Sequence, residues 1–198
     1  MVFEHSSRKL VWSALVGLLL AGAVAVGFEL RPASIFPVNG TLVLEVADLP
    51  IEAAQGFACG KCEVTSLNVT VDSVRVHTSG ALNLTSEWVE VLNSSQTFDI
   101  VKLTNTTQLL GSTSIPQTII TQIRLHITSA MAALSDTGQI IELTVPSGEL
   151  KVNLGSLEVR AGMTTTVVID FQPHVVCQGN GECKLTPVLG IKEVTGPQ

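Results

Sequence analysis

Leu67, Val69 and Val71 alternate with Asn68, Thr70 and Asp72, and this period of two constrains the chain more than any other feature. Only an extended backbone sends successive side chains to opposite faces, so the stretch reads as a strand with one face buried and one wet. The phase then changes, because Val74 and Val76 continue on even positions with Arg75 and His77 between them. A slip of one residue turns every later side chain to the wrong face, so a bulge or sharp bend is required near Asp72-Ser73.

The same pattern recurs along the chain. Thr41-Leu-Val-Leu-Glu-Val46 opens it, and further strands are expected at Trp88–Leu92, Thr97–Leu103, Ile119–Ile127, Gln139–Val145, Glu149–Leu154, Thr164–Phe171 and Lys184–Ile191. Turn-forming stretches separate them: Asn93-Ser-Ser, Asp136-Thr-Gly138, Pro146-Ser-Gly148, Arg160-Ala-Gly162 and Gly179-Asn-Gly181. A helix is expected only around Ser129–Leu134. Many short strands with regular turns predict an all-β fold, an antiparallel β-sandwich preceded by one N-terminal hydrophobic helix. The expected organisation is a leader at 1–28, a short linker at 29–38, one sandwich domain at 39–192 and a tail at 193–198.

The leader carries Arg8 and Lys9 ahead of LVWSALVGLLLAGAVAVGF, residues 10–28, which holds no charge. Basic residues before an apolar run form an export signal, and they keep that end in the cytoplasm. The remainder is then expected outside the cytoplasm, N-in and C-out. The run is long enough for a membrane anchor, while Ala23-Val24-Ala25 offers a small-x-small cleavage site, so an anchored and a secreted form are both open.

Sequons point the same way. Asn39, Asn68, Asn83, Asn93 and Asn105 each stand two residues before a Ser or Thr. These are five of the seven asparagines, where chance pairing predicts about 1.3 such matches. They are candidate N-glycosylation sites.

The four cysteines, Cys59, Cys62, Cys177 and Cys183, are even in number in a chain expected to be exported, which is the setting for disulfides. CQGNGEC (177–183) encloses a Gly-Asn-Gly turn across which two sulfurs can meet, and FACGKC (57–62) permits a small ring. Three connectivities exist, and pairing within each motif is favoured. A redox pair needs its first thiol at a helix N-terminus, whereas a β-like EVTSLNVTV follows here. A four-cysteine zinc site needs short spacing in both halves, and the second half has five intervening residues.

Only 14% of residues are charged, against about 25% in ordinary domains. The net charge is −6, which gives no basic surface for nucleic acid. The sequence holds no HExxH, GxSxG, phosphate loop or DxDxDG calcium loop, so no catalytic, cofactor or metal residue is expected. One Trp beyond the leader and no Tyr make a poor stacking platform for sugars, and Trp88 is expected in core or edge packing. Ser73-Val-Arg-Val-His77 and Gln122-Ile-Arg-Leu-His126 each set an Arg and a His on one face. On adjacent strands these would form a basic strip able to bind an anion or a metal; a solvated polar face is the expected role.

The order of these segments resembles the prokaryotic domain-of-unknown-function family numbered 4382. The matching stretches are NGTLVLEVADLP (39–50), SLNVTVDSVRVHTSG (66–80), WVEVL (88–92), QTFDIVKL (96–103), TQIRLHI (121–127), VPSGELKV (145–152), AGMTTTVVIDF (161–171) and GNGECKLTPVL (179–189). The resemblance covers roughly residues 39–190 and implies a carbohydrate-binding-like sandwich in exported or envelope proteins, with no assigned activity. The chain departs from the family where Pro116 is followed by Gln-Thr-Ile-Ile, and its cysteine pairs stand outside the family pattern, so no functional residue carries over.

The expected function is therefore non-enzymatic: an envelope protein of structural or interaction type, with the membrane as partner through residues 10–28 and a glycan or envelope protein as a further partner. A carbohydrate-binding module is the alternative. A third reading has residues 28–38, FELRPASIFPV, donate a strand to a neighbour's sheet edge, with Pro32 and Pro37 limiting the pairing. The sequence leaves the oligomeric state open.

Overall fold

The structure is a computed structural model that describes residues 39–48, 58–59, 62–79, 86–135, 138–178 and 182–196. The expected export helix, the segment 28–38 and Asn83 lie outside the described residues. Thirteen strands run through the described part: β1 (Asn39–Ala47), β2 (Ala58–Cys59), β3 (Cys62–Ser79), β4 (Glu87–Leu92), β5 (Gln96–Asp99), β6 (Gln108–Pro116), β7 (Thr118–Leu134), β8 (Ile140–Glu142), β9 (Glu149–Val159), β10 (Thr164–Gln172), β11 (Val175–Cys177), β12 (Cys183–Leu185) and β13 (Val188–Thr195).

The larger sheet is organised by two long strands. β3 and β7 pair antiparallel from Val64↔Leu134 to Ser79↔Ile119. β5 and β4 line the outer edge of β3, and β9 and β8 line the outer edge of β7. The smaller sheet has the order β13-β10-β1-β6. Its β1 and β10 are parallel, with Thr41↔Thr164 through Ala47↔Asp170, and its other two pairings are antiparallel. The expected purely antiparallel architecture is thus corrected to a mixed sheet beside an antiparallel one. Strand direction between residues more than a hundred positions apart leaves no local signature for sequence reading to find.

One apolar core joins the two sheets in a sandwich-like arrangement. Leu42, Leu44 and Val46 of β1 and Val167, Ile169 and Phe171 of β10 share it with Leu67, Val69, Val71, Val74 and Val76 of β3 and Ile120, Ile123, Leu125 and Ile127 of β7. The buried positions of β3 move from odd to even numbers across Asp72, as the phase change requires. Val71 pairs with Ile127 while Ser73 pairs with His126, so Asp72 is the extra residue of a bulge.

Several expectations need correction. Ser129–Leu134 is not helical but the last third of β7. Ala130, Ala132 and Leu134 are buried and alternate with the exposed Met131, and pairing with β3 overrides the helix preference of Ala, Met and Leu. The strand expected over Thr97–Leu103 ends at Asp99, and a 3-10 turn takes Ile100–Leu103. Lys184–Ile191 divides between β12 and β13. The last strand continues to Thr195, so residues 193–195 pair with β10 and not all of 193–198 is tail.

Candidate functional site

Local pairing holds for Cys177 and Cys183. Cys177 and Cys183 are register partners at the turn end of the β11–β12 hairpin and form a disulfide with a Cα–Cα distance of 4.0 Å. Cys59 and Cys62 are likewise backbone partners across the β2–β3 hairpin. β2 packs beside β11, so both cysteine motifs gather at one end of the domain.

Four of the five sequon asparagines are described. Asn39, Asn68, Asn93 and Asn105 are all exposed, and Asn105 sits in the left-handed region with φ 65°, a conformation Asn tolerates better than most residues. Asn68 lies on the wet face of β3, where its alternation with Leu67 and Val69 puts it.

A connected cluster of polar groups lies on the outer face of the larger sheet. The two Arg/His segments do occupy adjacent strands, because β3 and β7 pair with Arg75 directly opposite Arg124. The register extends this across four strands. Lys151 of β9, Arg124, Arg75 and Glu90 of β4 form one row. Asn153, Gln122, His77 and Trp88 form the next. Glu149, His126 and Ser73 form a third. Here Ile123, Leu125 and Ile127 of β7 and Val74 and Val76 of β3 point into the core, which leaves these residues facing out.

Trp88 lies on the edge strand β4 and not in the core: it is 37% exposed and is covered on this face by cations. The Arg124 guanidinium carbon lies 4.2 Å from its ring centroid and that of Arg75 lies 5.9 Å away. The His77 ring centroid is 4.9 Å off at an interplanar angle of 55°. An indole face carries negative quadrupole density and attracts such cations. Sequence reading missed this because nothing local says that β4 aligns Trp88 with His77.

A hydrogen-bonded chain fixes the cations. Arg124 Nη1 donates to Glu149 Oε1 at 3.1 Å and its Nε to Gln122 Oε1 at 2.8 Å. Gln122 Nε2 donates to Asn153 Oδ1 at 2.8 Å. Arg75 Nη2 reaches the same Glu149 Oε1 at 3.8 Å. One carboxylate oxygen thus serves two guanidinium groups. At the bulge, Asp72 Oδ1 lies 2.7 Å from His126 Nδ1. Among the described residues no three His, Cys, Asp or Glu side chains come together as a metal-binding group.

Three acids elsewhere were not singled out by sequence. Asp48 and Asp170 are 3% and 4% exposed at the ends of β1 and β10, and Asp170 Oδ2 accepts from Gln172 Nε2. Asp99 ties β5 to β3: the Leu67 amide donates to its Oδ1 and the Ser66 hydroxyl to its Oδ2, both at 3.1 Å. Burial pushes the Asp99 carboxyl up, but hydrogen bonds from Lys102, the Leu67 amide and Ser66, with the Lys102 charge, outweigh it and hold the group below the usual carboxylate range. A separate cavity of about 390 Å³ opens at the β6–β7 turn, lined by Gln117, Thr118, Ile119, Ser156 and Glu158.

Comparison with known proteins gives one finding: a family model described as a domain of unknown function (DUF4382) matches residues 39–187. No curated protein and no solved structure matches the chain.

Proposed function

This chain belongs to the DUF4382 family of domains of unknown function, and from that premise we propose that it is a non-enzymatic interaction domain working outside the cytoplasm. In this reading residues 10–28 deliver a β-sandwich through the bilayer and either anchor it or are removed. The observation that carries the reading is the Cys177–Cys183 disulfide, since such bridges persist in oxidising compartments and are reduced in the cytosol. The exposed sequon asparagines support it, because a glycan needs room at the surface. An interaction role is supported by the site itself. Its polar residues lie on an open sheet face, whereas catalysis is favoured in a cleft that excludes water.

The test is topological. Intact cells producing the full chain are treated with a membrane-impermeant protease, with a cytosolic protein as control. Digestion of the domain while the control survives is expected, or its recovery from the medium if the leader is removed. Full protection in intact cells, with digestion only after lysis, contradicts the proposal.

A second reading, a carbohydrate-binding module, is favoured by the half-exposed indole of Trp88 beside amide and guanidinium donors. Aromatic faces and such donors are the groups that sugars use.

A further inference from the structure

We propose that the outer face of the larger sheet binds an acidic polysaccharide, holding a sugar-borne carboxylate or sulfate at Arg75 and Arg124 with the sugar ring against Trp88. This rests on the carbohydrate-binding reading above and names its ligand class.

Setting two arginines side by side carries an electrostatic cost. Arg75 and Arg124 are direct cross-strand partners, and like charges directly opposite each other destabilise a sheet. Lys151 extends the row on the far side of Arg124. Facing these three cations on the same surface are Glu149, Glu90 and, beyond His126, Asp72. Glu149 offers both arginines the same oxygen, at 3.1 Å and 3.8 Å. Glu90, opposite Arg75 in the register, makes no ion pair among the described residues, and Asp72 is engaged with His126. Arg75 therefore keeps most of its five donors for another acceptor, and its side chain is 44% exposed. A guanidinium fork matches the geometry of a carboxylate or sulfate. The chain as a whole carries −6, and these three cations, offset on the same face by Glu149, Glu90 and Asp72, give a polyanion one local place to bind.

The adjoining row of Asn153, Gln122, His77 and Trp88 selects a sugar. Trp88 keeps 37% of its surface exposed beside the anion-binding groups, and at the far end of its row the Asn153 side-chain amide holds donors suited to hydroxyls. An extended acidic peptide would favour an unpaired strand edge, where its backbone can join the ladder. Here β3 and β7 are both ladder-paired on each side, so the face offers side chains alone. A saccharide needs nothing more.

The test uses the full chain in detergent and affinity electrophoresis through gels containing polygalacturonate, dextran sulfate, neutral dextran or poly-glutamate. Retardation by polygalacturonate or dextran sulfate is expected, with the stronger of the two identifying the oxyanion, and none by neutral dextran. Arg75→Ala with Arg124→Ala is expected to weaken binding at least tenfold, and Trp88→Ala at least fivefold. Lys184→Ala, away from this face, should leave it unchanged. Glu149→Gln removes the competing carboxylate and should tighten binding, which keeps the test sound if the arginine variants fold poorly. Retardation by neither acidic polysaccharide overturns the proposal, as does equal retardation by poly-glutamate or indifference to Trp88→Ala. These outcomes are read on purified protein and are independent of the compartment tested above.

Discussion

The guanidinium carbon of Arg124 stands 4.2 Å from the ring centroid of Trp88, although the two residues lie on β7 and β4 with β3 between them. Arg124 reaches across its neighbour Arg75 to cover an aromatic ring two strands away. At a partly exposed site such a contact is worth about 0.5–1 kcal/mol. A double-mutant cycle with Trp88→Ala and Arg124→Ala, followed by chemical denaturation, should return a coupling of about that size. Additive losses would mean that the stacking contributes nothing to stability.

Asp99 gives the domain a pH-dependent element. Its carboxyl is held below the usual range, so its folded value is the lower one. Such a group contributes stability that is complete above the unfolded value of about 3.9, and the contribution is lost as pH falls through the folded value. Asp99→Asn should therefore melt below the wild type at neutral pH, and the gap should close as pH falls below about 4. A gap that stays constant on acidification would contradict the assignment.

The hairpin of β11 and β12 depends on its bridge. Chain-entropy reasoning gives about 2 kcal/mol for closing so short a loop. Cys177→Ser with Cys183→Ser should lower the melting temperature and speed amide exchange at Val175–Cys177 first, because these residues pair only with β12 in the ladder. Unchanged exchange there would show that the bridge is dispensable.

Two glycines are needed for opposite reasons, and asparagine separates them. A Cβ on Gly111 would meet the Val91 carbonyl oxygen at 2.8 Å, where β6 approaches β4. Gly155 has open space but a φ of +71°. Gly111→Ala should cost about 1–3 kcal/mol and Gly111→Asn more. At position 155 the order reverses, because Asn tolerates the left-handed region better than Ala. Denaturant midpoints for the four variants test this ordering.

What the sequence revealed follows from the reach of each signal. The bulge at Asp72 was legible because a phase change on one strand has only one remedy. The β1 and β10 strands were legible from runs of alternating and apolar residues. β6 was not, because QLLGSTSIP buries only Leu110 and Ile115 and carries Gly111 for the sake of Val91. The strand at Ser129–Leu134 was hidden by helix-forming residues that a long partner strand overrules. Within the candidate site, the Arg/His spacing was visible on each strand separately. Its meaning was not, since the opposition of Arg75 to Arg124 and of His77 to Trp88 is set by register between distant segments.

Intact-mass analysis of the native full chain, alkylated before and after reduction, tests the account most directly. Cys177 and Cys183 should resist alkylation until reduction and then take up label, in protein recovered from the membrane or the medium. Immediate labelling of both thiols, in protein recovered from the cytosol, would contradict it.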